Sequence, residues 1–417
     1  MMNNILYRFF LKLFVPGAWI RSIWDPKARL WLAGRKDIFG RIGEITGKSI
    51  WIHCASLGEY EQGRPLIEDI RLVYPGFRII VSFFSPSGFE VMKDKPGDLT
   101  VIYLPVDSPK NAKRVIDAIN PSLVIWVKYE FWYYFLHELK DREIPVILVS
   151  GIFRKGQAFF RRYGGLWRKM LDCFTHFFVQ DRNSVTLLAG LGFRDNVTLN
   201  GDTRFDRVLS IASDFEPLPL IRDFCKENKV IVAGSTWEED ELELMHYVNT
   251  RPEIRFIIAP HEIDRNKLDS LKKQLPGSLF YSELAAALSA NQELPHVLIM
   301  DNMGMLSRLY RYATIAYVGG GFGTAGVHNV LEPAVYGRPV AFGPEYAKYI
   351  EAAGLIEAGG AISADQLLGL EHILDDLLTD ETKRNAMGLA SEKYVANHQG
   401  ATGRIIAYIQ EKRLLTS

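Results

Sequence analysis

Residues 49–73 read SIWIHCASLGEYEQGRPLIEDIRLV, and the change of rhythm at Ser56-Leu57-Gly58-Glu59 decides the fold class. Ser49–Ala55 is a β-branched and aromatic run of strand length, whereas Leu66, Ile67, Ile70 and Val73 recur at the spacing of one helix face. A strand, a tight turn and an amphipathic helix are the first half of a βαβ unit. The rhythm continues with strands expected at Arg78–Phe84, Thr100–Pro105, Leu123–Val127, Val146–Ser150 and His176–Val179, and with a helix over Ser108–Ile119. It breaks across Ser210–Leu220, where Pro217 and Pro219 stand, and resumes at Lys229–Gly234, Ile254–Ala259, His296–Met300, Thr314–Val318 and Arg338–Phe342. The expected fold is therefore α/β, with two Rossmann-like doubly wound domains facing across a cleft. The expected segments are 1–47 as a basic, aromatic leader, 48–214 and 215–395 as the two domains, and 396–417 as a C-terminal helix.

Composition narrows the class further. The 417 residues are 48% hydrophobic and 24% charged, which excludes disordered, collagen-like and coiled-coil chains. Forty-nine basic residues balance forty-nine acidic ones, so no global charge favours nucleic acid. Cys54, Cys173 and Cys225 are far apart, which speaks for a reducing compartment and against a disulfide framework or structural zinc. His261-Glu262-Ile263-Asp264-Arg265 lacks the second histidine of a zinc helix, so no protein-held metal and no cofactor is expected.

The charge asymmetry is local. Residues 1–50 carry nine basic and three acidic side chains, a local excess of six positive charges. Between Ile5 and Ile20, Tyr7, Phe9, Phe10, Phe14 and Trp19 alternate with Arg8 and Lys12, and Pro16 interrupts the run. A membrane span needs roughly 20 uninterrupted apolar residues. The segment is expected to form a helix lying on an anionic membrane surface, the alternative being a helix packed on the protein's own body.

Ligands in open parallel sheets bind beyond the carboxyl ends of the strands, so the chemistry is expected on those loops. After the first strand come Ser56 and Gly58, with Glu59 at the helix start as either a capping carboxylate or a general base. The second loop offers Ser85, Ser87 and Gly88, and the fourth offers Lys128 and Glu130 among aromatics. In the second half, Gly234-Ser235-Thr236 ends a strand and could hold a phosphate on free N–H groups or act as an ordinary cap. Gly319–Pro333 is rich in glycine and satisfies G-x-G-x-x-G at Gly321, Gly323 and Gly326, yet its strand stands late in its domain, which argues against a dinucleotide site. Asn329 can donate to a phosphoryl oxygen and Glu332 can accept two ribose hydroxyls; His328 ranks below them.

Taken in order, these elements resemble the GT-B glycosyltransferases, and more narrowly the 3-deoxy-D-manno-octulosonic acid (Kdo) transferases that act on the lipid A precursor. The resemblance rests on Ser56–Glu59 with Arg64-Pro65-Leu66-Ile67, Ser85–Gly88, Leu104–Asp107, Glu130-Phe131-Trp132, Gly201–Asp206, Ala233–Thr236, Ala259-Pro260-His261, Asp301–Gly304 and His328–Pro333. It implies that Glu59 is the general base, Glu130 a second essential acid, and Asn329 and Glu332 the phosphate and ribose contacts of CMP-Kdo. Met303 and Gly304 would approach the nucleotide through their backbone. The implied reaction is inverting transfer of Kdo to the lipid A precursor, without protein-bound metal, at the cytoplasmic face of a bacterial inner membrane. The family's Arg after Ala-Pro is here His261, and Glu130-Phe131-Trp132-Tyr133-Tyr134 and Ser150–Lys155 also depart from its usual pattern. The alternatives are another GT-B enzyme using a UDP-sugar, including an epimerase, and a non-catalytic nucleotide-sugar-binding protein at a membrane.

Overall fold

The computed structural model describes residues 2–42, 47–94, 99–128 and 130–415. The chain forms two compact units, residues 1–207 together with 399–417, and residues 208–398.

The first unit is built on seven parallel strands, β1 (Ser49–Cys54), β2 (Arg78–Phe83), β3 (Leu99–Tyr103), β4 (Pro121–Val127), β5 (Val146–Gly151), β6 (His176–Val179) and β7 (Val197–Leu199), in the order β3-β2-β1-β4-β5-β6-β7. Helices cover both faces, which is why β1 is buried throughout and reads as a nearly continuous apolar run. Trp51 and Trp126, on neighbouring strands, meet edge to face at 5.6 Å in its core. Three helices precede the sheet, α1 (Met2–Arg21), α2 (Pro26–Ala33) and α3 (Ile38–Ile42), and α4 (Leu57–Val73) follows β1.

The second unit repeats the plan with β8 (Val230–Thr236), β9 (Arg255–Pro260), β10 (Leu279–Phe280), β11 (Val297–Ile299), β12 (Ile315–Val318), β13 (Val340–Phe342) and β14 (Ala361–Ser363), in the order β10-β11-β9-β8-β12-β13-β14. All its pairs are parallel. In each unit the strand order reverses beside the first strand, between β1 and β4 and between β8 and β12. A doubly wound sheet opens a crevice at that switch point.

Two features of the fold were not legible in the sequence. β7, β10 and β14 are only two or three residues long, too short to show a period. The helix Ala401–Glu411 closes back onto the first unit, with Ile405, Ile406 and Ile409 in that unit's core. Asp206 accepts from the N–H groups of Gly400 (2.5 Å) and Thr402 (2.7 Å), and Arg404 donates to Asn200, so its attachment is polar as well as apolar.

Several glycines of the second unit are required by close backbone approach. A Cβ on Gly321 would stand 2.5 Å from the amide nitrogen of Gly343, and one on Gly320, at φ +90°, 2.3 Å from the carbonyl oxygen of Gly326. Gly321→Ala is therefore expected to destabilise the second unit by about 3 kcal/mol through overpacking. Gly58→Ala, inside α4 with open space around the new methyl, is expected to stabilise by about 0.5–1 kcal/mol through helix propensity. Urea unfolding of both variants checks the contrast.

Candidate active site

β1 ends at Cys54, and α4 begins at Leu57 with Ser56 as its N-cap, so Glu59 is the third helical residue. The expected tight turn at Gly58 is absent: this glycine lies in the helix without a positive φ. What Gly58 does leave is open surface beside Glu59. The Glu59 carboxylate folds back to accept from the N–H of Ala55, which fixes it at the carboxyl end of β1.

Glu130 follows β4 across the switch point. Its Oε2 accepts from the Trp132 indole at 3.1 Å and faces His53 Nε2 at 3.3 Å, while its backbone carbonyl accepts from the Trp126 indole. Glu59 and Glu130 repel one another. Burial first, and the Glu130 charge second, push the Glu59 carboxyl up to about 7, against the opposing pull of the Ala55 N–H and Lys128. A carboxyl at about 7 is half ionised near neutral pH, where a general base works best.

Lys128 stands between the two acids in sequence and takes a left-handed backbone, φ +61°. Ser150 at the end of β5 (φ +55°) and Ser235 at the end of β8 (φ +55°) share that conformation, and the register of β5 and of β8 shifts at the same places. Each costs a non-glycine residue roughly 1–2 kcal/mol, and such outliers gather at functional sites. Lys128 also helps Arg204 keep the buried Asp202 ionised: burial opposes this, but the two cations hold its carboxyl below the usual range. Asp202 further accepts from Gln180 (2.8 Å) and Gln62 (3.3 Å).

Ser85 caps the short helix Pro86–Met92 by accepting from Ser87 N–H, and the two hydroxyls lie 3.1 Å apart. Gly88 is a packing glycine, its missing Cβ replaced by the Phe83 ring. Ser56, Gly58, Glu59, Ser85, Ser87, Gly88, Lys128 and Glu130 thus all follow β1, β2 or β4 on one sheet edge. Electrostatics connect Glu59, Lys128 and Glu130 directly.

The corresponding edge of the second unit differs in character. Gly234 admits the Tyr310 hydroxyl where a side chain would stand, and Thr236 donates to Glu241 at 2.9 Å. The helix Glu238–Thr250 begins with four carboxylates, and Asp240 accepts from Trp237 N–H (2.9 Å), Gly320 N–H (2.7 Å) and the Tyr317 hydroxyl (2.7 Å). Its first turn is accordingly an internal tie that anchors the glycine loop. His261 stacks across the rings of Trp237 (4.6 Å) and His328 (4.4 Å), which lie side by side, the Trp237 indole donating to His328 Nε2 at 2.8 Å. Burial, and then His261, press His328 down to about 4, so it serves as a neutral acceptor. Asn329 donates to Glu332 at 3.1 Å, orienting that carboxylate, and accepts from Leu331 N–H. The helix they begin, Leu331–Ala334, is a single turn. Met303, 72% exposed, and Gly304, at φ +88°, stand on the loop after β11. Among the described residues, no group of three or more His, Cys, Asp or Glu side chains could hold a metal ion.

Sequence reasoning missed four participants of the first unit: Arg35, His53, Ser82 and Asp202. A histidine and a serine inside otherwise mostly apolar strands were the available signal. Arg35 had no local signal; it comes from beyond α2, stacks on Trp31 (3.8 Å), Tyr103 (4.6 Å) and Phe84 (4.7 Å), and donates to the carbonyls of Phe84 and Leu104. Burial pushes it down to about 9, and Glu130 pulls it the other way.

Parts of this chain are similar to known proteins. Residues 33–207 match the family model described as 3-deoxy-D-manno-octulosonic-acid transferase (kdotransferase). The chain is 27% identical to the 3-deoxy-D-manno-octulosonic acid transferase of Haemophilus influenzae over 92% of both chains. It is thus similar to the Kdo transferase family over that stretch and beyond. The family is one of glycosyltransferases. The Chlamydophila psittaci member is 28% identical over 72% of this chain and 70% of its own. A bifunctional glycosyltransferase/methyltransferase of Fusobacterium nucleatum is 31% identical over 70% of this chain, but the match spans about half of that protein, 47%. Among solved structures, UDP-GlcNAc 2-epimerase from Neisseria meningitidis bound to UDP-GlcNAc superposes with a TM-score of 0.61 at 14% identity, covering 88% of this chain and all of that one. That likeness concerns the GT-B fold alone.

The Glu59 carboxyl gives a direct stability test. Its folded value, about 7, lies above the ordinary 4.5, so the folded protein holds a proton that the unfolded chain releases. Stability linked to Glu59 is complete below about 4.5 and is lost as pH rises towards 7. Glu59→Gln, which cannot ionise, is expected to gain on the wild type across that window, by about 2–3 kcal/mol above pH 7. Urea unfolding at pH 4.5–8 checks this; a difference flat in pH would remove the burial argument.

Proposed function

We propose that this protein transfers Kdo from CMP-Kdo to a hydroxyl of the lipid A precursor, with inversion, at an anionic membrane surface. The observation that carries the mechanism is the Glu59 carboxylate, fixed at the switch point of the first sheet and poised near 7. Glu59 takes the proton of the acceptor hydroxyl as that oxygen bonds to the anomeric carbon. The bond from that carbon to the CMP phosphate oxygen breaks in the same displacement, which inverts the centre. Glu130 holds Glu59 at a useful basicity, and Lys128 offsets the joint negative charge. Asn329 donates to the departing phosphate and Glu332 accepts from the ribose hydroxyls. Met303 and Gly304 contact the nucleotide through their backbone, and His261 takes the place of the family's arginine. Ser56, Ser85 and Ser87 offer hydroxyls to the acceptor sugar, and Gly58 leaves room for it.

Attachment to the cytoplasmic face of a bacterial inner membrane is part of this reading. No helix is long and apolar enough to cross a membrane among the described residues. The support is α1 and its continuation, where Phe9, Phe10, Trp19, Ile20, Ile23 and Trp24 are each more than half exposed beside the local basic excess. The function is tested by incubating the protein with CMP-Kdo and a tetraacylated glucosamine disaccharide and reading product mass. The expected product gains one or more Kdo masses. Stabilisation by UDP and not by CMP in a thermal shift would move the donor to the UDP class.

A further inference from the structure

Behind the two acids runs a buried polar chain with no role in secondary structure. His53 and Ser82 are paired across β1 and β2, both fully buried, in strands that are otherwise almost wholly apolar. The Trp51 indole donates to Ser82 Oγ at 2.7 Å, and the same oxygen lies 2.8 Å from His53 Nδ1. An indole nitrogen can only donate. Ser82 Oγ therefore spends a lone pair on Trp51, and its own hydrogen is available to His53 Nδ1. The ring proton then sits on Nε2, directed at Glu130 Oε2, 3.3 Å away. The Trp126 ring lies 4.4 Å from the His53 ring and prevents it from turning. We propose that His53 is a positioning residue, the end of a chain Trp51–Ser82–His53 that pins the Glu130 carboxylate and so keeps its negative charge beside Glu59.

Such a chain is costly unless it is complete, because each buried donor or acceptor left unpaired costs roughly 1–3 kcal/mol. A fully apolar β1 and β2 would pack without that risk. The arrangement gives Glu130 a fixed direction: Trp132 and His53 both hold Oε2, and Trp126 holds the carbonyl of the same residue. The charged and titratable groups facing the two acids are Cys54 from β1, Lys128 from the end of β4 and Arg35 from beyond α2, with Asp202 and Arg204 behind Lys128. None of these is altered by changes at His53 or Ser82, so a shift in Glu59 reports Glu130.

This inference rests on the proposed reading of Glu59 as base, and its test separates the two. The readout is the titration of the Glu59 carboxyl by carbon NMR on glutamate-labelled full-length protein, assigned with Glu59→Gln. In parallel, the pH profile of Kdo transfer is recorded. His53→Phe is expected to free Glu130, to move the Glu59 midpoint and the acid limb of kcat/KM downward together, and to lower kcat ten- to a hundredfold. His53→Gln, which keeps an N–H near the Nε2 place, is expected to restore both. Ser82→Ala leaves His53 in its strand and is expected to move the midpoint in the same direction by less; it carries the test if His53→Phe does not fold. A folded variant with lower kcat and an unmoved midpoint would overturn the proposal and leave His53 a packing residue. A moved midpoint in a protein that transfers no Kdo would uphold the chain and overturn the substrate reading.

Discussion

Glu59→Gln is expected to lower Kdo transfer by roughly three orders of magnitude, within the usual range of about 10²–10⁴ for the loss of a positioned general base. The amide keeps the shape of the side chain and can still accept from the Ala55 N–H, but it cannot take a proton. Glutamine therefore isolates the proton transfer from the packing, which Glu59→Ala would confound. CMP binding should be unchanged, because every nucleotide contact proposed lies in residues 208–398 whereas Glu59 belongs to the other unit. The measurement pairs single-turnover transfer with calorimetric CMP binding. Transfer within tenfold of the wild type would take Glu59 out of the reaction. Loss of transfer together with CMP binding would instead mean that the substitution reaches the donor.

The simultaneous change of Trp19, Ile23 and Trp24 to serine is expected to abolish most binding to anionic vesicles. These side chains are 65%, 67% and 67% exposed, so removing them costs the fold little. Fully burying a large apolar side chain is worth about 1.5–3 kcal/mol, and even half of that from three positions amounts to a loss of partition of about a hundredfold. The basic residues of the segment should add salt-dependent binding that survives the triple change in part. Flotation with anionic and with neutral vesicles, at low and physiological salt, separates the apolar from the ionic share. Flotation unchanged in all four conditions would return α1 to the alternative of a helix serving only its own protein. The inner side of α1 is already committed to the first unit: the Tyr7 hydroxyl donates to the buried Asp107 at 2.6 Å, and the Phe14 ring meets Trp31 and Phe84 at 5.4 and 5.9 Å. Membrane docking would therefore use the side that remains.

Elements are legible in the sequence where a hydrophobic period carries them. Ser108–Ile119 shows one apolar face and became a capped helix, Pro109–Ile119, with Ser108 as its N-cap. Glu59 and Glu130 are candidates from the sequence because a parallel sheet puts its ligands after its strands, and the sequence marks where strands stop. Gly58 was misjudged for a related reason: a glycine after a strand looks like a turn, whereas here the helix starts one residue earlier.

The sequence by itself determined the elements, their alternation and the acidic strand ends, since hydrophobic period and turn chemistry act over a few residues. Tertiary structure decided which of them meet. His53 finds Ser82 29 residues away because two strands pair in one register, and a slip of one residue would turn both side chains to the other face. Gly321 needs no side chain because Gly343 passes against it, and the last helix belongs to the first unit because that unit's core and Asp206 hold it. The basicity of Glu59 was decided at the same level. Burial and a charge 71 positions further along the chain set it, and both exist only once the sheet has ordered its strands.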